Sequence, residues 1–222
     1  MLVAAAVCPH PPLLIPELAG AAAPELDGLR AACAAAVRAL GEGGPDAIVV
    51  VGGADRAGTY GADAAGSLAP WGVDVRIGDG DPVLPLSLSV GRRLLEWGGL
   101  TASGFHAVPF DAPAERCAAL GVRLAGDAER VALLVMADGS ACLTEKSPGY
   151  LDPRAAPYNA AIVGALARAE VPDLDPRLAA ELWVAGRAAL QVLAGAGGAL
   201  SGEVLYDDAP YGVGYFVARW TE

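Results

Sequence analysis

The chain has 222 residues, of which 54% are hydrophobic and only 18% charged, and its formal net charge is −11. This length and composition exclude an intrinsically disordered protein and predict one large core, so we expect residues 1–222 to form a single domain. The excess of acids, with Lys146 as the only lysine, excludes nucleic-acid binding, which depends on clustered Lys and Arg.

The cysteines and the apolar start of the chain bear on its location in the cell. The four cysteines are far apart and have no zinc-ligand spacing, which predicts reduced thiols, with Cys33 and Cys117 in the core. The apolar residues 1–7 lack a positively charged segment and end before Pro9, so we interpret them as a buried strand and not as a signal peptide. No stretch is typical of a membrane span. We therefore expect a cytoplasmic protein with no membrane partner.

Apolar runs and helical stretches alternate along the chain. Short apolar runs that end at Pro or Gly are typical of strands buried on both faces of a sheet. The predicted strands are residues 2–8, 48–51, 73–77, 100–105, 131–136, 202–206 and 215–220. The predicted helices are residues 24–40, 86–97, 113–125, 154–169 and 176–193. This alternation predicts a three-layer α/β/α domain with a central mostly parallel or mixed sheet.

Polar residues cluster in four segments next to predicted strands, where ligands collect in α/β folds. The segments are Cys8-Pro9-His10-Pro11-Pro12, Gly52-Gly53-Ala54-Asp55, Ala137-Asp138-Gly139-Ser140-Ala141-Cys142 and Asp208-Ala209-Pro210-Tyr211-Gly212-Val213-Gly214-Tyr215. The third segment opens an irregular stretch, residues 137–153, whose length is typical of a functional loop or of disorder.

The order and spacing of these segments resemble the class III extradiol ring-cleavage dioxygenases and the related Memo proteins over nearly the full chain. The Pro-His-Pro-Pro and Pro-Tyr-Gly-Val-Gly-Tyr pieces, which lie near the two ends, carry most of the similarity. The resemblance implies a non-haem Fe(II) enzyme that opens a catecholic ring with O₂. Two histidines and a carboxylate hold the iron in that family and leave positions open for substrate and dioxygen. By this match His10 is the first histidine ligand, and Asp208 is closest to the carboxylate.

Two histidines that the resemblance implies are missing. Gly53 and Ala54 stand where a Pro-His pair is expected, and Cys142 stands where the catalytic histidine is expected. The only other histidine, His106, completes a two-histidine iron site only if it reaches the same cavity. A site of His10, a carboxylate and Cys142 would hold Fe(II), or Zn(II) as the alternative, less tightly. A protein that binds no metal is the remaining possibility.

Most candidate site residues have both a structural and a functional interpretation. Cys142 is either an inert buried thiol or a reactive one, the latter if Lys146 lies close to it. Asp138 and Ser140 form either an ordinary turn or one that binds an anion. The candidate substrate-binding residues are Asp138, Ser140, Lys146, Tyr150 and Tyr211, the candidate catalytic residues are Cys142 and His106, and the candidate metal ligands are His10 and Asp208.

Three functions are compatible with these patterns, and they leave open whether the chain is an enzyme. The first is a divergent extradiol dioxygenase-like protein that has a degenerate metal site and binds a small aromatic or acidic molecule. The second is an active Fe(II) dioxygenase built from His10, His106 and Asp208. The third is a non-enzymatic, Memo-like interaction protein. A homodimer is compatible with the high apolar content.

Overall fold

The computed structural model describes residues 1–222 and contains nine strands and seven α-helices. The strands are β1 (Leu2–Cys8), β2 (Ala47–Ala54), β3 (Gly58–Gly61), β4 (Gly66–Ser67), β5 (Arg76–Ile77), β6 (Gly104–Pro109), β7 (Val131–Met136), β8 (Ser201–Asp208) and β9 (Tyr215–Thr221). The helices are α1 (Pro16–Ala19), α2 (Asp27–Glu42), α3 (Leu86–Trp97), α4 (Ala114–Ala125), α5 (Ala155–Leu166), α6 (Pro176–Glu181) and α7 (Arg187–Ala196). None of these helices is both long and apolar enough to cross a bilayer.

Seven strands form one mixed sheet in the order β3-β6-β2-β7-β1-β9-β8, and β4 pairs with β5 in a small separate sheet. The four central strands are parallel, whereas β3 and β9 run antiparallel to their neighbours. Every residue of β1 and β7 is buried, which explains their uninterrupted apolar sequences. Alternate residues of β1 belong to two core clusters, one on each face of the sheet. The fold is therefore the predicted three-layer α/β/α arrangement.

The sheet brings several chain segments to one edge. The parallel strands β1, β2, β6 and β7 all end there. Because β9 is antiparallel to β1 and to β8, β9 begins and β8 ends at the same edge. We call it the C-terminal edge, and it is the edge at which α/β folds place their ligands.

Several predicted elements differ from those in the structure. The helix predicted at residues 176–193 is two helices, because Trp183 adopts a left-handed backbone with a φ of 52° that a helix cannot accommodate. The strand predicted at residues 100–105 begins only at Gly104, since the Leu100 N–H donates to the Leu95 carbonyl oxygen and closes the end of α3. The strand predicted at residues 73–77 is reduced to β5.

Helices α4 and α7 approach each other closely at two glycines. A Cβ on Gly121 would overlap the carbonyl oxygen of Val192, and one on Gly195 would overlap the backbone of Ala118. Backbone atoms cannot rotate away as a side-chain end can, so an added methyl group would force the helices apart.

We predict that Gly121→Ala lowers the free energy of unfolding by about 1–3 kcal/mol, the usual cost of overpacking. Gly164→Ala in α5 is the matched control, because its Cβ would meet only the end of the flexible Arg168 side chain. The control should gain up to about 1 kcal/mol from helix propensity. Urea unfolding followed by circular dichroism measures both changes, and equal stabilities of the two variants would contradict the close packing.

Candidate functional site

His10 lies in a rigid turn directly after β1. Pro11 and Pro12 follow it and start the 3-10 turn Pro12–Leu14, and their rings restrict the backbone. The His10 backbone N–H donates to Asp138 Oδ1 at 2.7 Å, and the ring atom Nδ1 lies 3.5 Å from the same oxygen. His10 is only 6% exposed. The imidazole is therefore held next to a carboxylate at the C-terminal edge.

The two ring nitrogens of His10 have different surroundings. Nδ1 is fully buried and, at 3.5 Å from Asp138 Oδ1, has no true hydrogen-bond partner. The nearby carboxylate nevertheless favours a proton on Nδ1, because an electrostatic interaction is strong where water is excluded. Nε2 also makes no hydrogen bond within the protein but is not fully enclosed. With the proton on Nδ1, Nε2 is free to accept a hydrogen bond from a ligand.

Asp138 follows β7 and is tied to the start of β9. The Gly139 N–H donates to the Gly214 carbonyl oxygen at 2.7 Å, and the Gly214 N–H donates to the Ser140 carbonyl oxygen at 2.9 Å. These two bonds join the loop after β7 to the residue that precedes Tyr215. They bring Tyr215 close to the Asp138 carboxylate.

Tyr215 supplies a second polar group at this place. Its side chain is 4% exposed, and its hydroxyl makes no hydrogen bond within the protein. Burial raises the pKa of Tyr215 well above its ordinary value, and the negative charge of Asp138 raises it further. The phenol therefore remains a neutral hydroxyl that can donate a hydrogen bond at any physiological pH.

Apolar side chains surround Tyr215 on the face of the sheet covered by α2 and α3. The same core cluster contains Leu14, Ala54 and Met136. Tyr211 packs at its margin, and the Tyr211 hydroxyl donates to Glu25 Oε2 at 2.9 Å. Three surface clefts of 490–530 Å³ lie elsewhere, and none of them is lined by His10. We call the region around His10, Asp138 and Tyr215 the niche; its surroundings are largely apolar, and two of its polar groups have no partner within the protein.

The structure does not bring His106 into this niche. His106 lies within β6, with its Nδ1 3.3 Å from Thr59 Oγ1, and burial followed by the charge of Arg123 lowers its pKa. In strand register His106 is level with Val7, three strands away. Usual strand spacings then put the rings of His10 and His106 roughly 15–20 Å apart.

Asp208 lies at the C-terminal edge but on the outermost strand. It ends β8, is exposed, and accepts the Ala209 N–H at 2.7 Å. Its strand partner is Tyr215, so Asp208 lies two strand spacings, or about 10 Å, from β1. In neighbouring Asp207, burial raises the carboxyl pKa, and the charge of Asp208 adds to this rise.

Cys142 lies away from His10, in the core cluster on the opposite face of the sheet. Its Sγ is 3.5 Å from the Gly149 carbonyl oxygen and 4.0 Å from that of Glu181. It is 1% exposed, which is typical of an inert structural thiol.

The remaining predicted substrate-binding residues do not enter the niche. Ser140 is fully buried, and its hydroxyl donates to the Leu182 carbonyl oxygen at 2.6 Å, so it is not free for an anion. Lys146 and Tyr150 are exposed on the loop after β7. Of the five, Asp138 lies in the niche and Tyr211 lies at its margin.

The donor set does not fit the iron centre that the resemblance implies. Two histidines and a carboxylate must each approach one metal ion to about 2.0–2.2 Å, and no group of three His, Cys, Asp or Glu side chains in residues 1–222 is so arranged. The space that a side chain on Gly53 would need is filled by the Phe110 ring, and Ala54 is buried in an apolar cluster. Only His10, with the carboxylate partner typical of a metal-binding histidine, keeps a ligand-like geometry.

Sequence patterns alone do not single out Tyr215, because an aromatic residue that opens a buried strand is typical of a core residue. The antiparallel pairing of β9 with β1 is what places it near His10, since Val7 pairs with Ala218 and the register continues toward the C-terminal edge. The one feature of the sequence that points to Tyr215 is its position at the end of the Pro-Tyr-Gly-Val-Gly-Tyr segment.

Comparison with known proteins places the chain by its fold alone. No protein-family model and no curated protein matches it. The crystal structure of an uncharacterized protein from Escherichia coli K12 is similar, with a TM-score of 0.54, 14% sequence identity, and coverage of 98% of this chain and 99% of the other. At this identity the likeness concerns the arrangement of helices and strands over the whole chain.

We predict that Asp138→Asn lowers the pKa of Tyr215, because tyrosinate no longer forms beside a negative charge. The pKa should stay above its ordinary value, since burial is the larger cause of its rise. Tyr158, whose pKa burial raises to about 12, is the internal reference and should not change. Carbon-13 NMR of labelled tyrosine rings measures both groups, and an unchanged Tyr215 pKa would contradict its placement beside Asp138.

Proposed function

We propose that this protein is a divergent class III extradiol dioxygenase-like protein that has a degenerate metal site and binds a small hydroxylated aromatic molecule between His10 and Tyr215. The retained motifs support the proposal, because the loops that carry them meet at the C-terminal edge. The observation that carries it is the contact of His10 with Asp138, whose charge also acts on the Tyr215 hydroxyl, a group with no hydrogen-bond partner within the protein.

An aromatic alcohol suits the niche better than an acid does. A ligand carboxylate would meet the negative charge of Asp138 in a poorly solvated place, where like charges repel strongly. The single lysine, Lys146, is exposed on a loop and gives the niche no counter-charge. The residues that share a core cluster with Tyr215 are apolar, which favours an apolar ring. A neutral phenol has an apolar ring and carries no negative charge, so it suits the niche on both counts.

The three polar residues then have distinct roles. Nε2 of His10 accepts the proton of the ligand hydroxyl, and the Tyr215 hydroxyl donates to the ligand oxygen. The Asp138 carboxylate stabilises the imidazolium that forms when the proton moves to His10. This arrangement favours ionisation of a bound phenol without any metal ligand.

An active dioxygenase built from His10, His106 and Asp208 lacks geometric support. The rings of His10 and His106 are roughly 15–20 Å apart, and Asp208 lies on the outermost strand of the sheet. We therefore propose no reaction step that passes through iron.

We predict that 4-nitrophenol binds to the protein and ionises there, which absorbance in the visible range reports directly. His10→Gln should weaken binding at least tenfold, equivalent to about 1.4 kcal/mol, and should abolish the excess phenolate signal over that of free 4-nitrophenol at the same pH. His106→Gln is the matched control, since it alters the chain's other histidine outside the niche. Tyr215→Phe should weaken binding while the phenolate signal partly remains.

Two results of this titration would contradict the proposal. The first is equal binding by wild-type protein and the His10→Gln variant. The second is tighter binding of benzoate than of 4-nitrophenol, because that preference would indicate an acid site.

We also predict that purified protein holds iron, zinc and manganese at well below one equivalent, since only one imidazole and one carboxylate lie together. Elemental analysis measures the content. Protein loaded anaerobically with Fe(II) should consume no oxygen with a panel of catechols. A full equivalent of tightly held iron that His10→Gln removes would contradict the degenerate site.

A further inference from the structure

A group of exposed apolar side chains lies on three connecting segments: the loop after β6, the loop after β7 and the turn after α6. We call Phe110, Tyr150, Leu151 and Trp183 the aromatic patch; they are 45%, 74%, 54% and 58% exposed. A Cβ on Gly149 would lie 3.3 Å from Trp183 Cγ, so the loop that carries Tyr150 and Leu151 passes close to Trp183. Such a group of large exposed side chains is typical of an interaction surface.

A cleft of about 530 Å³ separates two members of the patch. Phe110 and Trp183 both line it, and the rest of its wall comes mainly from the exposed side of α6 and the turn after it: Pro176, Ala179, Ala180, Val184 and Ala185. The patch therefore combines protruding rings with a recess that can receive one of them.

Buried polar contacts hold the Phe110 side of the cleft in place. Arg187 is 2% exposed and has no carboxylate partner. Its guanidinium donates to the Ala112 carbonyl oxygen at 2.6 Å, to Gln191 Oε1 at 2.8 Å, and to the Phe110 carbonyl oxygen. The buried Arg187 side chain thus fixes the backbone of the loop that carries Phe110.

The two most exposed rings of the patch, Tyr150 and Trp183, both lie on left-handed backbone. Trp183 and Tyr150 have φ values of 52° and 60°, a left-handed conformation that bulky residues rarely adopt. The Val184 N–H donates to the Ala179 carbonyl oxygen at 2.8 Å, next to Trp183. Backbone strain of this kind persists where the surrounding structure enforces it and is frequent at functional sites.

One acid and one base line the cleft without an ion pair. Asp111 and Arg177 both belong to its wall, and neither pairs with any side chain. Nearby Arg154, in contrast, is bound by Asp152 and Glu181. The cleft wall therefore carries one unpaired charge of each sign.

We propose that the aromatic patch is the interface of a homodimer with two-fold symmetry. In such an interface the same surface meets itself, so it must be complementary to itself in shape and in charge. The shape condition is met because a protruding ring lies beside a recess. The charge condition is met because an unpaired cation and an unpaired anion line the same cleft. In the dimer Arg177 faces Asp111 of the partner subunit. A small ligand in the cleft would leave Tyr150 and Leu151 uncovered, whereas a second copy covers them.

The first test is the mass of the full-length protein by analytical ultracentrifugation over a range of concentrations. We expect a dimer for the wild type and a monomer for Trp183→Glu. Trp97→Glu is the matched control, because Trp97 is 45% exposed at the end of α3 and outside the patch, and it should remain dimeric. A wild type that is monomeric at every concentration, or a dimeric Trp183→Glu variant, would overturn the proposal.

The second test is a charge exchange. Arg177→Glu and Asp111→Arg should each weaken dimerisation at least tenfold, because each places like charges opposite one another. An equimolar mixture of the two variants should regain dimer formation, since both opposite-charge pairs are restored in the mixed dimer. Failure of the mixture to dimerise would overturn the two-fold pairing, even if each single variant is monomeric.

Discussion

The Asp138 carboxylate is the contact on which the candidate site depends. One of its oxygens accepts the His10 backbone N–H at 2.7 Å and faces the imidazole at 3.5 Å. This single group therefore joins the turns after two neighbouring parallel strands and favours a proton on one particular ring nitrogen. The same charge acts on the Tyr215 phenol. The geometry of the niche follows from where β1, β7 and β9 end or begin.

The niche contains one histidine oriented like a metal ligand, but it lacks the second histidine that an iron site of this kind needs. A histidine whose Nδ1 faces a carboxylate is oriented as a metal ligand is, but strand β2, on the far side of β7 from β1, ends in Gly53 and Ala54, whose side chains have no donor atoms. Phe110 fills the space beside Gly53, so a larger side chain at this position would not fit. An imidazole that is oriented in this way, with no further ligand side chains grouped around it, is suited to accept a proton, which is the basis of the proposed function.

Much of the fold could be predicted because strands buried on both faces have uninterrupted apolar sequences. The strands at residues 2–8 and 131–136 and the helix at residues 86–97 have their predicted bounds. The errors came from backbone conformations that sequence does not reveal, such as the left-handed Trp183 that divides one predicted helix into α6 and α7. Apolar patterning reports burial, and it does not report a local break of this kind.

The candidate site was less predictable than the fold. His10 and Asp138 could be placed at one edge because both follow parallel strands. The distance of His106 from that edge depends on its register within β6, and the role of Tyr215 depends on the antiparallel pairing of β9 with β1; neither register is encoded in a short motif. Cys142 follows the same strand as Asp138, yet the loop turns its thiol toward the opposite core cluster.

A crystal structure of the protein with bound 4-nitrophenol tests the central claim most directly. The account predicts the ligand oxygen within hydrogen-bond distance, about 2.5–3.2 Å, of both His10 Nε2 and the Tyr215 hydroxyl, with His10 Nδ1 still facing Asp138. A ligand bound only in the cleft between Phe110 and Trp183, or a His10 ring turned so that Nδ1 no longer faces Asp138, would contradict it.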